Sequence, residues 1–306
     1  MLFVAELHVG LVGLGKMGAN MARRWSAAGV RVVAGDPSAE ARASVAEVAE
    51  VHETLAALVE ALPSPRVLWS MVPSGEPTQA VLDHLADLAA PGDVLVDGGN
   101  SDFRDTQKRA WVFGERGLPL VDVGVSGGVW GLENGYCLMA GGTAEAIEAI
   151  RPLLERLAPA PDKGWAHVGP SGAGHYAKMV HNGVEYGMMQ AFGEGFGLLA
   201  ARKDMAFDLA QVAELWQSGS VVRSWLLDLT AQVLAEDQTL ADVAAVVADS
   251  GEGRWTVREA IELGVPVPVT AAALMARQSS QGNDGFSHKL LAKLRQAFGG
   301  HAVQSS

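Results

Sequence analysis

A short apolar run, Leu7 to Val12, leads into Gly13-Leu14-Gly15-Lys16-Met17-Gly18, and a helical pattern from Met17 to Ala28 follows at once. Few local features restrict a fold as tightly. A strand that turns sharply into a helix needs backbone freedom at the turn, which Gly13 supplies. Gly15 has no side chain to keep an anion off the helix N-terminus, and Gly18 lets helix and strand pack closely. Strand, glycines, helix and strand in that order suit a pyrophosphate, so Gly13, Leu14, Gly15, Lys16, Met17 and Gly18 are the expected dinucleotide contacts. Asp36 ends the next strand, Val30 to Gly35, near the spacing of an acid that accepts hydrogen bonds from the adenosine ribose hydroxyls. Its charge opposes a 2′-phosphate, and Pro37 and Ser38 set no arginine beside it, so NAD is expected over NADP. Asp36 could at the same time be a turn acid or a helix cap.

Further β-rich runs, Arg66 to Val72, Asp93 to Asp97 and Pro119 to Val123, alternate with helical patterns such as Thr78 to Ala89. That alternation predicts a parallel sheet with helices on both faces. Gly135 to Gly141 and Ala166 to Val168, around a helix over Ala144 to Leu157, extend the same sheet. After Pro170 the strands disappear. Helical patterns run over Gly172 to Ala200, Leu209 to Gln217, Val222 to Ala235, Trp255 to Leu263, Val269 to Gln278 and His288 to Phe298. At 306 residues the chain sits near the length where one core divides into two. The expected class is α/β, with a Rossmann-type domain over 1–169 and an all-helical domain over 170–306.

Composition narrows the partners. With 23 basic against 35 acidic residues and a net charge of −12, nucleic acid and anionic membrane are disfavoured. The N-terminal apolar stretch, Leu2 to Ala5 and then Leu7 to Leu14, is broken by Glu6 and His8 and ends in glycines, and no window reads as a membrane span. The lone cysteine, Cys137, rules out a disulfide framework and fits a reducing cytoplasm; it reads as a buried small hydrophobe. Positive charge gathers late, with Arg277, Lys289, Lys293 and Arg295 against Asp284 alone after Val269, which suits either a solvated face or part of an anion pocket.

Two glycine-rich turns, Asp97-Gly98-Gly99-Asn100-Ser101 and Val125-Ser126-Gly127-Gly128, stand where strands of such a sheet end, and ligands bind outside those ends. Asn100, Ser126, Gly127 and Gly128 are therefore candidate ligand contacts, as are Val72 and Pro73 beside the cofactor. In the long helix, Lys178, His181, Asn182 and Glu185 fall at i, i+3, i+4 and i+7, one polar stripe on an otherwise apolar or glycine-rich segment. Such a stripe faces water on a surface helix and lines a cleft on an enclosed one; the surrounding Met, Val, Ala and Gly favour the cleft. An amine and a carboxylic acid two turns apart, roughly 10 Å at about 1.5 Å per residue, could flank a small substrate as base and acid.

These stretches, together with Val125 to Gly135, Lys178 to Gly187, Gly253-Arg254-Trp255-Thr256, Ala276-Arg277 and Arg295 through Phe298-Gly-Gly-His301, resemble the decarboxylating 6-phosphogluconate dehydrogenases of the short NAD-preferring type, within the β-hydroxyacid dehydrogenases. The resemblance spans nearly the whole chain. It implies oxidation of 6-phosphogluconate at C3 by NAD, loss of CO2 and release of ribulose 5-phosphate, with no metal. Lys178 would be the base and Glu185 the acid, with Asn100, Ser126 to Gly128, His181 and Asn182 around sugar acid and nicotinamide. Tyr186, Arg254, Thr256 and Arg277 would hold the phosphate, and Arg295 and His301 would come from a partner subunit, making a homodimer or homotetramer. Arg254 stands where long-chain members carry Lys, and their large C-terminal helical duplication is absent. A 3-hydroxyisobutyrate-like dehydrogenase and a catalytically silent NAD-binding module are the alternatives.

Overall fold

The computed structural model describes residues 7–282 and 285–299. The chain separates into two compact units, Met1–Met179 and Val180–Ser306.

In the first unit the strands are β1 (His8–Val12), β2 (Arg31–Gly35), β3 (Glu50–His52), β4 (Val67–Ser70), β5 (Val94–Asp97), β6 (Leu120–Ser126), β7 (Cys137–Gly141) and β8 (Trp165–Gly169). They form one eight-stranded sheet in the order β3-β2-β1-β4-β5-β6-β7-β8. The helices are α1 (Lys16–Ala27), α2 (Ala39–Ala43), α3 (Leu55–Glu60), α4 (Glu76–Leu88), α5 (Phe103–Gly114), α6 (Gly131–Asn134) and α7 (Ala144–Leu157). The order reverses direction at β1 and β4, so the ends of these two strands frame the crevice where such sheets take ligands.

The sheet departs from the sequence reading at two of its strands. β3 was not anticipated, because Glu50-Val51-His52 holds one apolar residue and looks like a loop. β7 runs antiparallel to β6. The link between them holds only a single turn around Gly128–Trp130 and α6, too short for the crossover that parallel strands need. Cys137 is also corrected: it opens β7 on the outward side and is exposed.

Apolar layers close on both faces of the sheet. Trp25 of α1 meets Trp69 of β4 edge-on, ring centres 5.1 Å apart, and donates its indole N–H to Leu153 O at 3.0 Å.

The second unit contains α9 (Leu209–Gln217), α10 (Trp225–Glu236), α11 (Glu252–Leu263), α12 (Pro268–Ser280) and α13 (Gly285–Gly299); α8 (Ala173–Ala201) starts in the first unit and continues through it. Phe196 of α8 packs with Leu209, Ala213, Leu227 and Leu234, and Tyr186 packs with Ala273 and Leu274. α8 is not enclosed all round as its sequence suggests. Val184 is 55% exposed and Leu198 75%, because the helix carries more apolar surface than its own chain covers. No described helix is long and apolar enough to cross a membrane.

Candidate active site

The first turn behaves as its glycines require. Gly13 takes φ 95° and donates its N–H to Gly35 O at 2.9 Å, and a side chain at Gly18 would strike the carbonyl of Gly13. Gly15 differs, because a Cβ there would meet nothing within 4 Å. Its bareness leaves room for a ligand; the fold does not need it. Gly15 begins α1 without a side-chain cap and no acid occupies the first turn, so the N–H groups there keep their pull on an anion. A cavity of about 460 Å³ opens at this point, lined by Gly15, Lys16, Asn20, Ser38 and Ala41 among others. These features fit a dinucleotide. Leu14 borders the cavity and belongs to the core, whereas Met17 packs against the core and does not line the cavity.

Asp36 ties the turn together. Its Oδ2 accepts Leu14 N–H and its Oδ1 accepts Ser38 N–H, both at 2.8 Å. The cap of α2 is Ser38, whose hydroxyl accepts Ala41 N–H, so Asp36 is the turn acid of the alternatives its sequence left open. Arg42, missed in the sequence because it lies further along, donates from Nη1 to the carbonyls of Asp36 and Pro37 at 2.7 and 3.0 Å. Val72 and Pro73 lie just beyond β4, and Pro73 O accepts the Thr78 hydroxyl at 2.8 Å.

The Asn100 turn rests on a buried acid that the sequence reading treated as a plain strand end. Asp97 accepts Gly99 N–H at 3.1 Å and Ser101 Oγ at 2.8 Å, and pairs with Arg109 at 3.3 Å, all in the interior. An aspartate ending a strand before Gly-Gly-Asn-Ser was the available signal. Ser126 ends β6, and Gly127 and Gly128 follow at φ 127° and 53°, a path that side chains would strain.

Asp122, Gly124 and Ser126 alternate on one face of β6. The fully buried Asp122 carboxylate accepts the N–H groups of Gly172 and His175 at 2.6 and 2.8 Å, fastening the start of α8. Burial pushes its pKa up, opposed by His175 and by those two backbone bonds. His175 Nδ1 in turn lies 2.7 Å from the Thr106 hydroxyl. Next along the strand, Gly124 leaves the space into which the half-buried Lys178 side chain packs, since a Cβ there would collide with that of Lys178. The buried Asp122 and His175 were both overlooked in the sequence.

Further along α8, His181 Nδ1 is 3.0 Å from Asn182 Oδ1 and 3.9 Å from Glu185 Oε2. His181 and Glu185 each keep 38% of their side chains exposed. In the second unit, Tyr186, Thr256 and Arg277 come together: Thr256 packs against Gly183, and the Arg277 guanidinium lies 3.6 Å over the Tyr186 ring. The Tyr186 hydroxyl is buried and has no hydrogen-bond partner among the described residues. Arg254 instead pairs with Asp249 at 3.1 Å. His301 lies outside the described residues, as does the side chain of Arg295.

The description "NAD binding domain of 6-phosphogluconate dehydrogenase" matches residues 8–169, and "6-phosphogluconate dehydrogenase, C-terminal domain" matches residues 174–303. The chain belongs to the 6-phosphogluconate dehydrogenase family. An NAD(+)-dependent, decarboxylating member from Haloferax volcanii is 45% identical over 300 residues, covering 97% of this chain and 98% of its own. A decarboxylating member from Synechococcus elongatus is 38% identical over 290 residues but is covered over only 62% of its length. The Plasmodium falciparum enzyme, solved with and without its cofactor NADP+ and its substrate 6-phosphogluconate, superposes with a TM-score of 0.83 at 27% identity, over 98% of this chain and 66% of that one. The chain spans nearly the whole length of the Haloferax member and about two thirds of the Synechococcus and Plasmodium ones.

Proposed function

We propose that this chain is an NAD-dependent dehydrogenase that oxidises 6-phosphogluconate at C3 and decarboxylates the resulting 3-keto acid to ribulose 5-phosphate and CO2. The observation that carries the reading is the bed of β6: Gly124 admits the stem of Lys178, on the helix whose same face carries His181, Asn182 and Glu185. Bound NAD supplies the hydride acceptor. Lys178, as neutral amine, takes the C3 hydroxyl proton; as ammonium it then donates to the new carbonyl oxygen while the carboxylate departs. The electron pair left at C2 is drawn onto that oxygen, giving an enediol. Glu185 returns a proton to that same carbon, which becomes C1 of ribulose 5-phosphate, with His181 and Asn182 orienting the sugar acid alongside Asn100 and Ser126 to Gly128.

Tyr186, Arg254, Thr256 and Arg277 hold the phosphate in this reading, since planar guanidinium forks match its oxygens. The domain boundary near 169 and 170 leaves the cofactor turn before it and the phosphate-holding residues after it, a little ahead of the division between compact units after Met179. We further propose that the enzyme acts as a homodimer or larger assembly in the cytoplasm, with Arg295 and His301 completing a neighbour's phosphate site. Support for the assembly comes from α13, whose Phe286, Leu290, Leu291 and Leu294 are exposed on an amphipathic helix.

The test is NADH formation and CO2 release from 6-phosphogluconate, followed in wild type and Lys178→Met. Turnover in the first and its loss in the second support the reading. A wild type inactive at every pH, or a methionine variant that still turns over, refutes it.

A further inference from the structure

Arg254 sits in the first turn of α11 with its guanidinium held on one edge. Nε donates to Asp249 Oδ2 at 3.1 Å, while Oδ1 of the same carboxylate accepts the N–H of Gly251 at 3.0 Å. Asp249 is nearly buried, its side chain 7% exposed, whereas that of Arg254 is 59% exposed. One carboxylate therefore joins the left-handed entry of α11, Gly251 at φ 108°, to a cation that stays open to solvent. The neighbouring Ala248 carbonyl accepts from Arg277 Nη1 at 3.1 Å. Val247 is fastened at the C-terminus of α12, its N–H donating to Ser280 Oγ at 3.0 Å and its carbonyl accepting from the side chain of the capping Gln281 at 2.8 Å. Residues 247–249 thus bring the arginines of two helices to adjacent points of one fastened strip.

We propose that Asp249 is a positioning residue for the phosphate end of the substrate, and that it makes arginine obligatory at position 254. The inference deepens the proposed function and rests on it. A guanidinium presents five N–H groups in a rigid plane, so Nε can serve the carboxylate while the Nη groups meet phosphate oxygens. A lysine has a single ammonium, which the nearly buried Asp249 would hold away from the ligand. Arginine in place of the long-chain lysine is thus one half of a pair whose other half is Asp249. The ordering matters because a flexible exposed arginine loses side-chain freedom on binding, and a fixed one has less to lose.

The experiment is steady-state kinetics on the full chain for wild type, Asp249→Asn, Arg254→Lys and the double variant, varying 6-phosphogluconate and NAD separately. Asp249→Asn keeps an oxygen for the Gly251 N–H, which preserves the start of α11. It raises KM for 6-phosphogluconate about tenfold while kcat stays within about twofold and KM for NAD is unmoved. Arg254→Lys raises that KM as well. Adding Asp249→Asn to the lysine variant lowers it again, because the ammonium is no longer held by a carboxylate; a purely structural Asp249 could not produce this rescue. An unchanged KM in Asp249→Asn, a double variant worse than Arg254→Lys, or equal losses toward both substrates overturns the proposal. A wild type that makes no NADH from 6-phosphogluconate removes the activity and this inference with it, whereas an active wild type indifferent to Asp249 removes this inference alone.

Discussion

Replacing Gly124 with alanine tests the seat of Lys178 without touching any group that meets the substrate. The added methyl would collide with the Cβ of Lys178 and lie 2.8 Å from the carbonyl oxygen of Gly174, both closer than van der Waals contact allows. Neither neighbour yields easily, because both belong to α8 and its start is fastened by Asp122. Strand and helix must therefore separate by about an ångström, and misplacement of that size costs on the order of a hundredfold in turnover. Overpacking should also lower stability by about 1–3 kcal/mol. Both are measurable, turnover as NADH formation at saturating substrates and stability by thermal unfolding. Gly114→Ala in α5 is the control, since nothing lies within 4 Å of its added Cβ. It should leave turnover alone and stabilise by up to about 1 kcal/mol through helix propensity. If Gly124→Ala keeps kcat within about twofold of wild type at an unchanged melting temperature, β6 does not set the position of the lysine.

Exchanging Asp36-Pro37 for Asn-Arg should raise kcat/KM for NADP relative to NAD, because a charge that repels a 2′-phosphate is replaced by one that attracts it; an unmoved ratio would leave Asp36 as a tie for the glycine turn alone. Asp122 holds its proton more tightly when folded than when unfolded, so protonation stabilises fully below the ordinary value of 3.8 and is lost as pH rises through the raised value. Wild type should therefore lose melting temperature relative to Asp122→Asn as pH rises above the ordinary carboxyl value of 3.8, and a gap that stays constant or widens in its favour counts against this. Leu291→Glu on α13 should shift the protein to a monomer in size-exclusion chromatography and depress activity; an intact oligomer would show that this helix lies outside the interface.

What could be read in advance was chemistry written in local spacing. The glycine turn depends on three positions within six residues, and the stripe from Lys178 to Glu185 depends on helical periodicity, so both were legible without coordinates. The supports of these groups were not. Asp122 lies 50 and 53 residues from the amides it holds, and nothing local distinguishes it from any other strand aspartate. β3 escaped because a three-residue edge strand needs its neighbour more than its own composition. Cys137 was misplaced because burial in a strand depends on which face the register turns inward.

By itself the sequence determined the alternation of strand and helix, the anion-binding turn and the residue types able to move protons, since each follows from short-range sterics and period. Only the tertiary structure decided that β7 turns back antiparallel, that Gly124 makes room for Lys178, and that Asp249 grips Arg254. Those outcomes depend on which distant segments share space, and excluded volume and buried hydrogen bonds settle that only when the whole chain has packed.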